Sequence, residues 1–210
     1  MTIMRRGRLT TAVALAILTV PLTDAHVSLA GAGQTLLVWT VSEMERVGKT
    51  SPVRTNRDVE LFAARGEYEP FQVVVRAADR DMTNVSLAVS DLTGPEGQRI
   101  PGRSIALYRE HYVEVSAGTP TYNRTDATVV PLEPGWYPDA LIPFLDRTTG
   151  APPKDARYRA DRVRIAAGEN QPYWADLFVP RDAQRGQYEG TSSEEYDFRR
   201  TPATTHVSWP

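Results

Sequence analysis

Two short stretches carry side chains able to act together on a substrate. Glu67 and Glu69 stand two apart in ARGEYEPFQVVVRA, Ala64 to Ala77, so in an extended chain their carboxyls leave on one face. Paired acids are what glycosidic bond cleavage needs, one to protonate the leaving oxygen and one to serve as base or nucleophile. The plainer account is a solvated corner beside Gly66 in which Glu69 is hydrogen-bonded. The second group is Trp136, Tyr137 and Asp139, in Gly135-Trp136-Tyr137-Pro138-Asp139. Flat aromatic faces accept sugar rings, and an acid beside them takes hydroxyl hydrogen bonds. The preferred account here is again the plainer one: both rings pin a long loop to its own domain or to another.

Other reactive patterns are missing. The three histidines are His26, His111 and His206, without the spacing of a metal site. His111 falls on a strand and reads as a packed or surface strand residue rather than a catalyst. Asp79 and Asp81 bracket Arg80 and read as turn residues. There is no nucleophile elbow and no phosphate-binding loop. Asn84-Val85-Ser86 and Asn123-Arg124-Thr125 match the glycosylation sequon, which matters only in a eukaryotic secretory pathway. No catalytic residue, metal or cofactor is assigned.

The elements that would position these groups are strands. Leu36 to Val41 is an apolar run. Val59, Leu61 and Ala63 alternate, as do Phe71, Val73, Val75 and Ala77, then Val85, Leu87 and Val89. Period-2 alternation means strands with one buried face. Ile105 to Val115 is longer, and Arg109 and His111 interrupt its apolar side, so it is expected to bend or change sheets. Val163 to Ile165 and Tyr173 to Val179 complete the set. Gly94-Pro95-Glu96-Gly97 is a strong turn signal. Glu43 to Val47 and Asp155 to Arg162 offer at most a turn or two of helix. The expected fold is all-β, an antiparallel β-sandwich of immunoglobulin-like or jelly-roll-like type. A long Pro-rich aromatic loop from Ser116 to Arg162 is expected to interrupt it.

The ends bound the location. Arg5, Arg6 and Arg8 followed by the apolar run Leu9 to Val20 read as a secretory signal, too short for a bilayer span. Cleavage is expected after Ala25, Ala30 or Ala32. Arg5-Arg6 invites a twin-arginine reading, but Arg8 stands where that signal wants an apolar residue, so Sec export is preferred. The expected divisions are a signal region 1–32, a sandwich 33–190 and a tail 191–210. The expected location is secreted, periplasmic or cell-surface, with no membrane span once the signal is cut. The mature part, about 180 residues, is enough for one domain with a core. It has no cysteine, and a domain of this size does not need disulfides. A formal net charge of −2 argues against nucleic acid as a partner. The tail TSSEEYDFRRTPATTHVSWP offers no apolar parity, so no strand is expected after Gly190. It is either a natural unstructured tail or the product of a gene or frame broken near Thr191.

Four stretches in one order carry a resemblance: ARGEYEPFQVVVRA, ALYREHYVEV, GWYPDALIPF and YWADLFVPRDAQRGQYEG. Together, over Leu36 to Gly190, they resemble the N-terminal region of glycoside hydrolase family 123 and of the related domain-of-unknown-function 4091 proteins. The resemblance implies a β-sandwich that precedes a catalytic (β/α)₈ barrel, whose adjacent Asp-Glu pair cleaves terminal N-acetylgalactosamine. This sequence has no Asp-Glu dipeptide and no room for the barrel, so no catalytic residue carries over. The family sandwich continues into a strand after RGQYEG, and the departure here favours truncation or frameshift. The resulting expectation is a non-catalytic sandwich of an exported glycoside-hydrolase-like protein, a fragment whose partner is the missing barrel. The alternative is a free-standing carbohydrate-binding or cell-surface module. An autonomous hydrolase acting through Glu67, Glu69 or Asp139 has least support.

Overall fold

The computed structural model describes residues 36–118, 133–196 and 199–208. The expected signal region, His26, the Asn123 sequon and the first part of the Pro-rich segment lie outside the described residues, as does the His206 side chain. The described strands are β1 (Leu36–Ser42), β2 (Tyr68–Ala77), β3 (Met82–Val89), β4 (Leu92–Thr93), β5 (Arg99–Ile100), β6 (Ile105–Val115), β7 (Gly135–Pro143), β8 (Val163–Ile165), β9 (Asn170–Phe178), β10 (Gln187–Tyr196) and β11 (Arg199–Ser208). They make two sheets. The first runs β1-β2-β9-β6-β7, and the second β5-β4-β10-β3-β8 with β11 added on β10. Every pairing is antiparallel.

The core follows from alternation. Phe71, Val73 and Val75 of β2 lie in register with Ala175, Tyr173 and Gln171 of β9, Ala77 continues that parity opposite Leu36 of β1, and one face of the strands enters the interior. From the second sheet Val85, Leu87, Leu92, Ile100 and Tyr188 meet them. Val59, Leu61 and Ala63 also pack here, but without strand pairing, so the alternation is real and the ladder is not. The short helices considered at 43–47 and 155–162 are absent; the chain turns there instead.

The other face of β2 is buried as well. Trp39, Val41, Val47 and Val74 form a second apolar cluster on the outside of the first sheet. Its cover is residues 43–58, which run across the sheet as a strap. Gln72 Nε2 donates to the carbonyls of Ser42 at 2.9 Å and Glu45 at 2.7 Å. Asn170 Nδ2 donates to those of Gly48 and Ser51, at 2.9 and 3.0 Å. The Tyr112 hydroxyl donates to Val47 O at 2.8 Å. Thr40 Oγ1 reaches Asp58 O at 2.9 Å. These bonds satisfy strap carbonyls that would otherwise be buried and unpaired.

Four strands differ from expectation. β6 stays in one sheet over its whole length, and its irregularity is a register shift between His111 and Tyr112. Part of the Pro-rich segment is itself a strand, β7, paired with β6 at the sheet edge. Pro138 and Pro143 are tolerated because an edge strand bonds on one side only. Asp139 is the extra residue of the bulge, since His111 pairs with Ala140 and Tyr112 with Pro138. Finally, pairing continues past Gly190. Ser192 to Glu195 pair with β3, and β11 runs beside all of β10.

The reason is steric. Tyr188, Gly190 and Ser192 share one face of β10, which closes the core with a ring and two small residues rather than with aliphatics. A Cβ on Gly190 would fall 2.3 Å from Leu92 Cδ2 and 3.1 Å from Asp91 O. Gly94 lets the Tyr188 ring lie against its backbone; a Cβ there would meet ring atoms at 2.3–2.6 Å. Tyr188 is fully buried and its hydroxyl donates to Gln184 O at 3.0 Å. The ring has nowhere to go, so Gly94→Ala is expected to cost about 1–3 kcal/mol by overpacking. Urea unfolding checks this, and a midpoint equal to wild type would show that Tyr188 is not seated as described.

Candidate functional site

The two acids at the β2 corner do not form a reacting pair. Gly66 adopts φ +82°, the left-handed turn that follows Arg65. Glu67 Oε2 then accepts the backbone N–H of Ala64 at 2.7 Å and closes the corner. Glu69 lies partly buried, and burial first, then Glu67 and Glu43, raise its carboxyl above the usual range. Asp81 accepts from Ala167 N and pairs with Arg164, as a loop residue should.

Trp136 and Tyr137 are neighbours in a strand, so their rings leave on opposite faces of β7. Trp136 is 44% exposed on the outer face, where the Lys49 ammonium sits 3.7 Å from its ring centroid. Tyr137 donates to Glu133 O at 2.7 Å. Asp139 is exposed at the bulge. The three are close in sequence without making one platform.

Sequence reasoning missed two charged residues on β6. Glu110 is 6% exposed on the outer face, and its Oε1 has no hydrogen-bond partner. Burial pushes its carboxyl up to about 7. Arg109, next along, faces inward between Tyr173 of β9 and Ile142 of β7. Arg109 Nη2 lies 3.4 Å from His111 Nδ1, and the His111 ring stacks on Tyr158 with centroids 4.1 Å apart. Burial, then Arg109, Lys49 and Arg157, hold the imidazole below its ordinary value. The only signal for this cluster was the break in the apolar side of β6.

The part of the outer face beyond the strap is aromatic. Tyr68 and Phe178 touch at 4.8 Å between centroids. Tyr108 and Trp174 lie paired on the same face, and Arg147 donates to the Tyr108 hydroxyl at 3.0 Å. Asp176, opposite Pro70 and Ala106, has its carboxyl raised by burial against the lowering effect of Arg147. Among the described residues there is no group of three or more metal-binding side chains. Nor is any described helix long and apolar enough to cross a membrane.

One solved structure shares this architecture. A structure described for glycolipid glycan hydrolysis, a family 123 glycoside hydrolase from Clostridium perfringens, superposes with a TM-score of 0.63 at 15% identity. The match covers 84% of this chain and 27% of that one, so the chain spans about a quarter of that protein's length. A macrocyclization catalyst of alchivemycin A biosynthesis matches at TM-score 0.38 and 7% identity, over 84% of this chain and 90% of that one. The sporulation control protein Spo0M of Bacillus subtilis matches at 0.32 and 11%, over 83% of this chain and 49% of that one. No curated protein sequence matches. The family model described as the glycoside hydrolase 123 N-terminal domain matches residues 40–193, from the middle of β1 into β10. With its two-sheet sandwich and that match over most of its length, the chain belongs to the glycoside hydrolase 123 N-terminal domain family.

Proposed function

We propose that this chain is the non-catalytic sandwich of an exported glycoside-hydrolase-like protein, and that its work is to pack against a catalytic barrel. The observation that carries this reading is the coverage: a family 123 hydrolase is matched over most of this chain but over only 27% of its own length. The acids support it. Glu67 is used in a turn, Glu110 is shut under the strap side of the sheet, and Asp139 stands alone on an edge bulge. Exposed apolar side chains support docking of another domain: Tyr68 and Leu141 lie on the outer face, and Met44 is 85% exposed on the strap. Export is supported by the N-terminal signal pattern, Arg5, Arg6 and Arg8 ahead of the apolar run Leu9 to Val20.

Purified chain is expected to show no turnover of an aryl N-acetylgalactosaminide. Turnover that disappears in Glu69→Gln or Asp139→Asn would overturn the proposal. A second reading, a carbohydrate-binding module, has one observation in its favour, the exposed Trp136 ring. Binding of N-acetylgalactosamine-terminated glycan that is lost in Trp136→Ala would favour it.

A further inference from the structure

The inner side of β6 holds a half-buried guanidinium with no carboxylate beside it among the described residues. Arg109 projects between Tyr173 and Ile142, and its Nε is buried with no hydrogen-bond partner. A guanidinium keeps its proton, so the contact to His111 Nδ1 makes that nitrogen the acceptor and leaves the ring neutral, protonated on Nε2. Tyr158 lies on the His111 ring, and the Arg157 guanidinium lies 5.2 Å over Tyr158. The cluster therefore brings two guanidiniums around one imidazole. None of the described ion pairs includes Arg109 or Arg157. The groups that act electrostatically on Arg109 are Tyr173 and Tyr158; those on His111 are Arg109, Lys49 and Arg157. No carboxylate stands among them.

Charges withdrawn from water are ordinarily paired, and a guanidinium with a free N–H is built to take a planar two-oxygen acceptor. We propose that Arg109, with Arg157 and the His111–Tyr158 rings beside it, forms a binding site for a carboxylate group. A carboxylate against the partly exposed end of the Arg109 guanidinium would supply the missing counter-charge. It would also stabilise the protonated imidazole, turning His111 from a neutral acceptor into a second cation. Two sources present this chemistry: a sugar acid, or an Asp or Glu side chain of a docked domain.

The His111 Cε1–H resonance of the folded chain reports the site directly. In chloride buffer its titration midpoint should lie below the ordinary histidine value. Sodium acetate or sodium glucuronate should move the resonance and raise the midpoint, and glucose should do neither. Half-saturation by glucuronate at a concentration at least tenfold lower than by acetate identifies a sugar acid. Equal responses identify the carboxylate alone, as on a protein side chain. Arg109→Gln should abolish the response while thermal unfolding stays cooperative. If that variant does not fold, Arg157→Gln, on the exposed loop, should weaken it about threefold or more. The proposal is overturned if neither carboxylate moves His111 at about 0.1 M, where a millimolar site would be filled. It is also overturned if folded Arg109→Gln responds as wild type does.

Discussion

Glu110→Gln is expected to stabilise the domain above pH 7 by about 3 kcal/mol and to change little near pH 4. Burial alone lifts the Glu110 carboxyl from 4.5 to about 7, and its Oε1 finds no donor. The folded state therefore prefers the protonated acid. Stability is fully present below the unfolded value and is lost as pH rises through about 7. Gln matches the shape of the neutral acid and never ionises, so the variant should lack this slope. Other groups titrate too: Asp176 and Glu69 are raised by burial, and Asp81, Asp146 and Asp161 are lowered by hydrogen bonds. They are common to both proteins and cancel in the difference. Urea unfolding from pH 4 to 9 measures it, and parallel curves for the two proteins would sink the idea.

Trp39→Ala is expected to cost about 3–5 kcal/mol, the range for deleting a large buried aromatic. Trp39 is 1% exposed, yet it stands on the outside of the first sheet rather than between the sheets. Its burial depends wholly on the strap. Losing the ring leaves a cavity under residues 43–58 and loosens the carbonyls that Gln72 and Asn170 hold. The unfolding midpoint of the purified variant checks this. A loss below about 1 kcal/mol would mean that the strap does not bury the ring.

The inner face of the sandwich was legible because side chains in a strand alternate and one parity was apolar. Phe71, Val73 and Val75 needed no other information. The outer cluster was not legible, because its cover is an irregular segment with no period of its own. Gln72 lies on the parity opposite Phe71 and Val73, and in the fold it is the strap's main donor. β7 was hidden by Pro138 and Pro143, which mark breaks in most contexts and are harmless at an edge. β10 was hidden because Gly190 and Ser192 fill the core-facing parity that Tyr188 begins; small residues at a close approach leave no hydrophobic signal. For the candidate groups, adjacency misled: Trp136 and Tyr137 are one residue apart and one sheet thickness away from cooperating. Arg109 and His111 were visible only as a break in the apolar side of β6, and nothing in the pattern marked Glu110 as buried.

The strap also sets an order in time. Its later anchors are Asn170 and Tyr112, and the Asn170 bond to Gly48 O joins residues 122 positions apart. Closing a loop of that length must precede any reward from the contact, and such topologies fold slowly. A chain emerging from its N-terminus can pair β1 with β2 early and fix Glu45 through Gln72, but the carbonyls of Gly48 and Ser51 must then wait, unheld, until β9 exists. Residues as distant as Asn170 therefore decide whether the far end of the strap is held over Trp39, which makes the early β1–β2 pair the segment most in need of a chaperone.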